Sequence, residues 1–164
     1  MSFNVSFSLL WMKAYVWWRT GVPMRVGLLN SGCEIAPGVP LIGAFQGDTI
    51  WLDRTLLGDP ATLRGVVEHE VLHARCALLR RSARKSEILE RAGVSAYALL
   101  SARHKMAEVL QHYEAVGLNT REEALVILVG SGEYVICPDI TRASRLLCQS
   151  GGWNPLNLLR AACW

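Results

Sequence analysis

Several features that would assign a function at once are missing from this sequence. The five cysteines (Cys33, Cys76, Cys137, Cys148, Cys163) are dispersed and form no C-x-x-C pair, which excludes a zinc knuckle and a redox dithiol. Reduced, mostly buried thiols in a reducing compartment are expected instead. No stretch approaches the roughly 20 uncharged apolar residues of a membrane span, because Arg19, Asp48, Asp53 and later charges divide every candidate. The first eighteen residues are apolar and rich in tryptophan, yet they carry no basic leader or small-residue cleavage site, and Lys13 interrupts them. No signal peptide is expected. Nor does one sign of charge dominate: 17 basic against 14 acidic side chains give +3, too little to funnel nucleic acid or an anionic membrane toward the chain. These absences describe a soluble cytoplasmic protein that has no membrane partner and little call for nucleic acid.

What is present belongs to a folded chain. An apolar fraction of 51% with 19% charged residues excludes a disordered, collagen-like or coiled-coil composition. A length of 164 residues suits one domain with a real core, so a single domain over 1–164 is expected. The spacing of Leu9, Met12 and Val16 predicts a short helix over 8–18. Met24–Leu29 is a short apolar run, and Pro37-Gly38-Val39-Pro40 is a breaker. Leu41–Phe45 and Thr49–Leu52 flank Gln46-Gly47-Asp48 as the arms of a hairpin do, which predicts a small antiparallel sheet. Beyond it the chain reads as helical.

Asp59 is a good N-cap and Pro60 suits a first helical position, so a helix is predicted from Pro60 to about Arg81. A short segment over 86–92 ending at Gly93, a long helix over 95–116 ending at Gly117, and a helix from Asn119-Thr120 to Gly130 follow. Short helices over 139–149 and 155–162 complete an α+β chain, a small antiparallel sheet followed by a mostly helical part.

Within the first of these helices stands Glu68-His69-Glu70-Val71-Leu72-His73, an H-E-x-x-H pattern. Histidines four apart project from one helical face, so both imidazoles can reach one metal ion, while Glu70 points beside the first toward a metal-bound water. A structural alternative is two ordinary helix histidines, one buried against a carbonyl and one solvated. The preceding strand, the short connection and the capped helix speak against it.

Here the sequence resembles the zincin-type metallopeptidases, clearly over 49–81 and more loosely around 119–129. The resemblance implies a zinc-dependent hydrolase of peptide bonds with His69 and His73 as zinc ligands and Glu70 as general base. It also implies that Thr49–Asp53 receives substrate as an added β-strand. The metzincin extension would place Gly at position 76 and His at position 79, where this chain has Cys76 and Leu79, so that subclass is excluded. Cys76 lies about 10 Å along the helix from His69, too far to share an ion, and is read as packing.

The gluzincin-like branch takes its third ligand from a later helix, where Arg121-Glu122-Glu123 opens an apolar run. A carboxylate turned inward there is costly unless paired or metal-bound. Thr120-x-x-Glu123 is also a capping box, and Asn119-x-x-Glu122 is one if the helix starts a residue earlier. Both roles can coexist. The resemblance favours Glu123 as third ligand, with Glu122, His104 and His112 as alternatives; the Asp that the family carries four residues later is Ile127 here.

His104, Glu108 and His112 recur at four-residue spacing on another helix and read first as a solvated face. Tyr113 or Tyr134 could donate to an oxyanion, a role zincins give to such residues. Arg75, Arg80, Arg81, Arg84 and Lys85 read as a wet basic surface near a helix C-terminus, and Trp51, Trp153 and Trp164 as packing. The expected activity is therefore zinc-assisted hydrolysis of a protein or peptide substrate. Two other readings compete with it: an inactive zincin scaffold that binds or assembles, and an SprT-like or regulator-cleaving peptidase guided to DNA by the basic cluster.

Overall fold

The computed structural model describes residues 2–133 and 137–149. Among them are six α-helices, a three-stranded sheet and a two-stranded hairpin, an α+β arrangement as the sequence predicts. The helices are α1 (Ser2–Thr20), α2 (Pro60–Leu79), α3 (Ala83–Ser101), α4 (His104–Ala115), α5 (Thr120–Gly130) and α6 (Pro138–Cys148). The strands are β1 (Arg25–Leu29), β2 (Glu34–Ala36), β3 (Val39–Pro40), β4 (Gly43–Gln46) and β5 (Thr49–Asp53). None of the described helices is long and apolar enough to cross a membrane.

The chain gathers into two compact units. One takes Met1–Glu34 and Pro40–Val71, the other Ile35–Val39 and Leu72–Cys148. The division falls inside α2, between Val71 and Leu72, and the helix runs unbroken through it.

In the first unit the hairpin of the sequence is real: β4 and β5 pair antiparallel, with Phe45 opposite Ile50. The sheet is nevertheless mixed and not purely antiparallel. β1 joins β5 in parallel, Arg25 opposite Thr49 through Leu29 opposite Asp53, giving the order β1-β5-β4. The central strand is β5, and Ile50 and Leu52 on it are fully buried. Each contributes roughly 1.5–3 kcal/mol relative to exposure. A β-strand needs an open edge to accept another, so β5 cannot receive a substrate strand as the family resemblance implied. β4 and β1 hold the edges. Met12 and Val16 of α1 and Val67 and Val71 of α2 complete this core. After β5 a 3₁₀ turn, Arg54–Gly58, is capped by Asp53, which accepts from the Thr55 amide at 2.7 Å.

The second unit is helical. Its core joins Leu72 and Cys76 of α2 to Leu89, Ala92 and Ala96 of α3 and to Leu125 and Leu128 of α5. The sequence placed a helix break at Gly93 and an unbroken helix over 95–116; the structure reverses both. Gly93 lies inside α3, where an added Cβ would stand 3.1 Å from the Arg121 carbonyl oxygen. The residue is small because another backbone passes it, not because the helix ends. The break falls at Ala102-Arg103 instead, where Arg103 caps α4 without a side-chain hydrogen bond. At the start of α1 the helix extends well before residue 8. α6 begins at Pro138, one residue before the start expected at 139. The helix expected over 155–162 lies outside the described residues.

Candidate metal centre

The geometry begins with the start of α2. Asp59 accepts from the Ala61 and Thr62 amides, each at 3.2 Å, and from the Thr62 hydroxyl. These bonds favour its anionic form, led by the Thr62 hydroxyl, and hold the carboxyl below its ordinary range. A helix started there continues through the motif without interruption to Leu79, so His69 and His73 rise from one face a turn apart.

The second element is α5. Asn119 caps it by accepting from the Glu122 amide at 3.3 Å, so the Thr120 capping box of the sequence is not used. That start sets both carboxylates of the first turn toward one imidazole. His73 Nε2 stands 3.3 Å from Glu123 Oε1, and His73 Nδ1 stands 2.8 Å from Glu122 Oε1. Side-chain exposure of His73 and Glu123 is only 12% and 13%, so charge between them is poorly screened.

His69, His73 and Glu123 each offer an atom, and the three atoms lie within 4.8 Å of one another. This group can bind a metal ion. Tetrahedral coordination at about 2.0–2.1 Å places ligand atoms about 3.3–3.4 Å apart. The His73–Glu123 separation already has that value. Among the described residues this is the one such group of three.

The alternatives fall elsewhere. Glu122 reaches the far nitrogen of His73 and is not in the group. His104 is 87% exposed in its side chain and pairs with Glu108 at 3.4 Å. His112 has its Nε2 buried with no hydrogen-bond partner and does not join the group. Cys76 is fully buried in the helical core, as expected of a packing residue, and burial pushes its thiol far above the ordinary range. Tyr113 is half-buried on α4; Tyr134 lies outside the described residues.

Glu70 is buried at 6% exposure, against the first residue of the edge strand β4. An added Cβ at Gly43 would stand 2.9 Å from Glu70 Oε1 and 2.5 Å from Val66 Cγ1. Only glycine lets the strand pass this close to the carboxylate.

The basic cluster is only partly the wet surface that the sequence suggested. Arg81, Arg84 and Lys85 are exposed. Arg75 is buried and donates to the Leu146 carbonyl at 2.8 Å, and Arg80 pairs with Glu122 at 2.9 Å. The contact that the sequence did not reveal is this one between Arg80, Glu122 and His73. Its only trace in the sequence was the i, i+7 spacing of His73 and Arg80; in the structure Arg80 is the first residue beyond the end of α2.

No family model matches the chain, and neither a curated protein nor a solved structure matches it. What fold and site define is therefore a class: an α+β chain with a two-histidine, one-carboxylate group able to hold a metal ion.

Proposed function

We propose that this chain is a zinc-dependent metallopeptidase, with zinc held by His69, His73 and Glu123. The observation that carries the reading is the meeting of two imidazoles from α2 with a carboxylate from α5. Nitrogen and oxygen donors in that number suit Zn²⁺, and three protein ligands are what a catalytic site uses when its fourth position is kept for water or substrate. When bound, the ion supplies a Lewis acid and a water of lowered pKa.

The chain supplies the rest. Glu70 follows His69 directly and is buried, so it can take a proton from the attacking water and return it to the leaving amine. β4 is an edge strand and passes Glu70 at Gly43, which supports an extended peptide lying along it. Dispersed thiols support a reducing compartment such as the cytoplasm. With Arg75 and Arg80 turned to internal partners, less of the basic cluster is left to support a DNA-guided peptidase.

The test is metal-dependent proteolysis. Chain loaded with one equivalent of zinc is offered a library of unstructured peptides. Cleavage that a chelator stops and added zinc restores supports the peptidase. Stoichiometric zinc without cleavage of any peptide supports the inactive scaffold.

A further inference from the structure

Glu122 is not a member of the ligand group, yet both of its oxygens are engaged. Oε1 meets His73 Nδ1 at 2.8 Å and Oε2 meets Arg80 Nη2 at 2.9 Å. Arg80 also reaches Glu90 on α3 at 3.4 Å. Helix capping does not explain the Glu122 carboxylate, because Asn119 performs that duty through the Glu122 amide.

An ionised carboxylate only accepts, so the hydrogen in the 2.8 Å contact sits on Nδ1 of the imidazole. In the neutral ring that leaves the lone pair on Nε2, the nitrogen facing Glu123 Oε1 at 3.3 Å. Neighbouring residues of one helical turn thus grip the two nitrogens of a single ring. Arg80 offsets the repulsion between the adjacent carboxylates and fixes the rotamer of Glu122. At side-chain exposures of 17% for Glu122 and 32% for Arg80, water screens this pairing only in part.

We propose that Glu122, anchored by Arg80, is a positioning residue: it fixes His73 as the Nδ1–H tautomer and so presents Nε2 to a divalent cation shared with His69 and Glu123. Partners of this kind set ring orientation and raise ligand basicity, and losing one typically costs 10- to 100-fold in metal affinity. The cation in this inference rests on the metal-centre reading; the tautomer does not.

Two readouts on the full chain decide it. Ring-nitrogen NMR of the metal-free protein, at alkaline pH where imidazole is neutral, reports the His73 tautomer. Competition with a chromogenic chelator reports Zn²⁺ affinity. The wild type is expected to hold the Nδ1–H form. Glu122→Ala is expected to lose that preference and to bind zinc about 10- to 100-fold more weakly. Glu122→Gln keeps an oxygen acceptor, so it should retain the tautomer and recover part of the affinity, which also guards against a misfolded alanine variant. Arg80→Met should weaken zinc by a smaller factor.

A Glu122→Ala protein with unchanged tautomer and zinc affinity within about twofold of the wild type would overturn the proposal. If the wild type takes up no zinc, the metal-centre reading fails, and the tautomer comparison still decides whether Glu122 positions the ring.

Discussion

α2 and α4 both carry histidines at multiples of a helical turn beside acidic neighbours. On α2, His69 and His73 stand four apart; on α4, His104, Glu108 and His112 follow the same spacing. On α2 a carboxylate arrives from α5, and Glu123 closes a group of three in a poorly solvated place. On α4 the His104–Glu108 pair stays in water, at 87% and 69% exposure. Spacing along one helix aligns donors, but convergence needs a second element that brings an acid inward, where an unpaired charge is too costly to tolerate.

The sharpest way to break the comparison is to remove a histidine from each helix. His69→Ala or His73→Ala should lower zinc affinity on the order of a thousandfold, because each removes one of three ligands. His104→Ala and His112→Ala should leave it unchanged in the same chelator competition.

Next comes the residue that separates chemistry from metal holding. Glu70→Gln keeps the shape of the buried side chain and removes its basicity. Peptide hydrolysis should fall by about 10²- to 10⁴-fold while zinc uptake is retained. Intact cleavage would remove Glu70 as general base.

A smaller effect is expected where β4 meets α2. Gly43→Ala puts a Cβ into Val66 and Glu70, so urea unfolding should show a loss of about 1–3 kcal/mol.

The smallest effect concerns the helix starts. α2 is capped by the Asp59 side chain, whereas α4 begins at Arg103 with no side-chain cap. Asp59→Ala makes α2 start as α4 does and should lower the melting temperature slightly. Because the Asp59 carboxyl is depressed in the folded chain, its contribution is present at neutral pH and is lost as pH falls through about 4 and below. The gap between wild type and variant should close over that acid range.

Much of this was written locally in the sequence. Asp59-Pro60 marks a helix start through capping physics, the four-residue spacing fixes which histidines share a face, and Gln46-Gly47-Asp48 marks a reversal. The α+β class follows from those local signals. Glu123 was legible only as one of four candidates, because which carboxylate of the adjacent pair joins both histidines depends on how α5 lies against α2. Glu122 gave a capping signal and a ligand signal, and neither describes its contact with His73 and Arg80. Gly93 misled for a related reason: the same absence of a side chain serves a helix end or a close backbone, and here it admits Arg121. Parallel pairing of β1 with β5 joins segments separated by the β2–β3 hairpin and β4, a relation that alternation within a strand cannot show.

The central claim is that one zinc ion is held by two imidazoles and one carboxylate. X-ray absorption at the zinc edge, on chain reconstituted with one equivalent, measures this directly. The account predicts only nitrogen and oxygen at about 2.0–2.1 Å, with multiple scattering from two imidazole rings that drops to one in His73→Ala. A sulfur shell near 2.3 Å, or a spectrum that His73→Ala leaves unaltered, would contradict it.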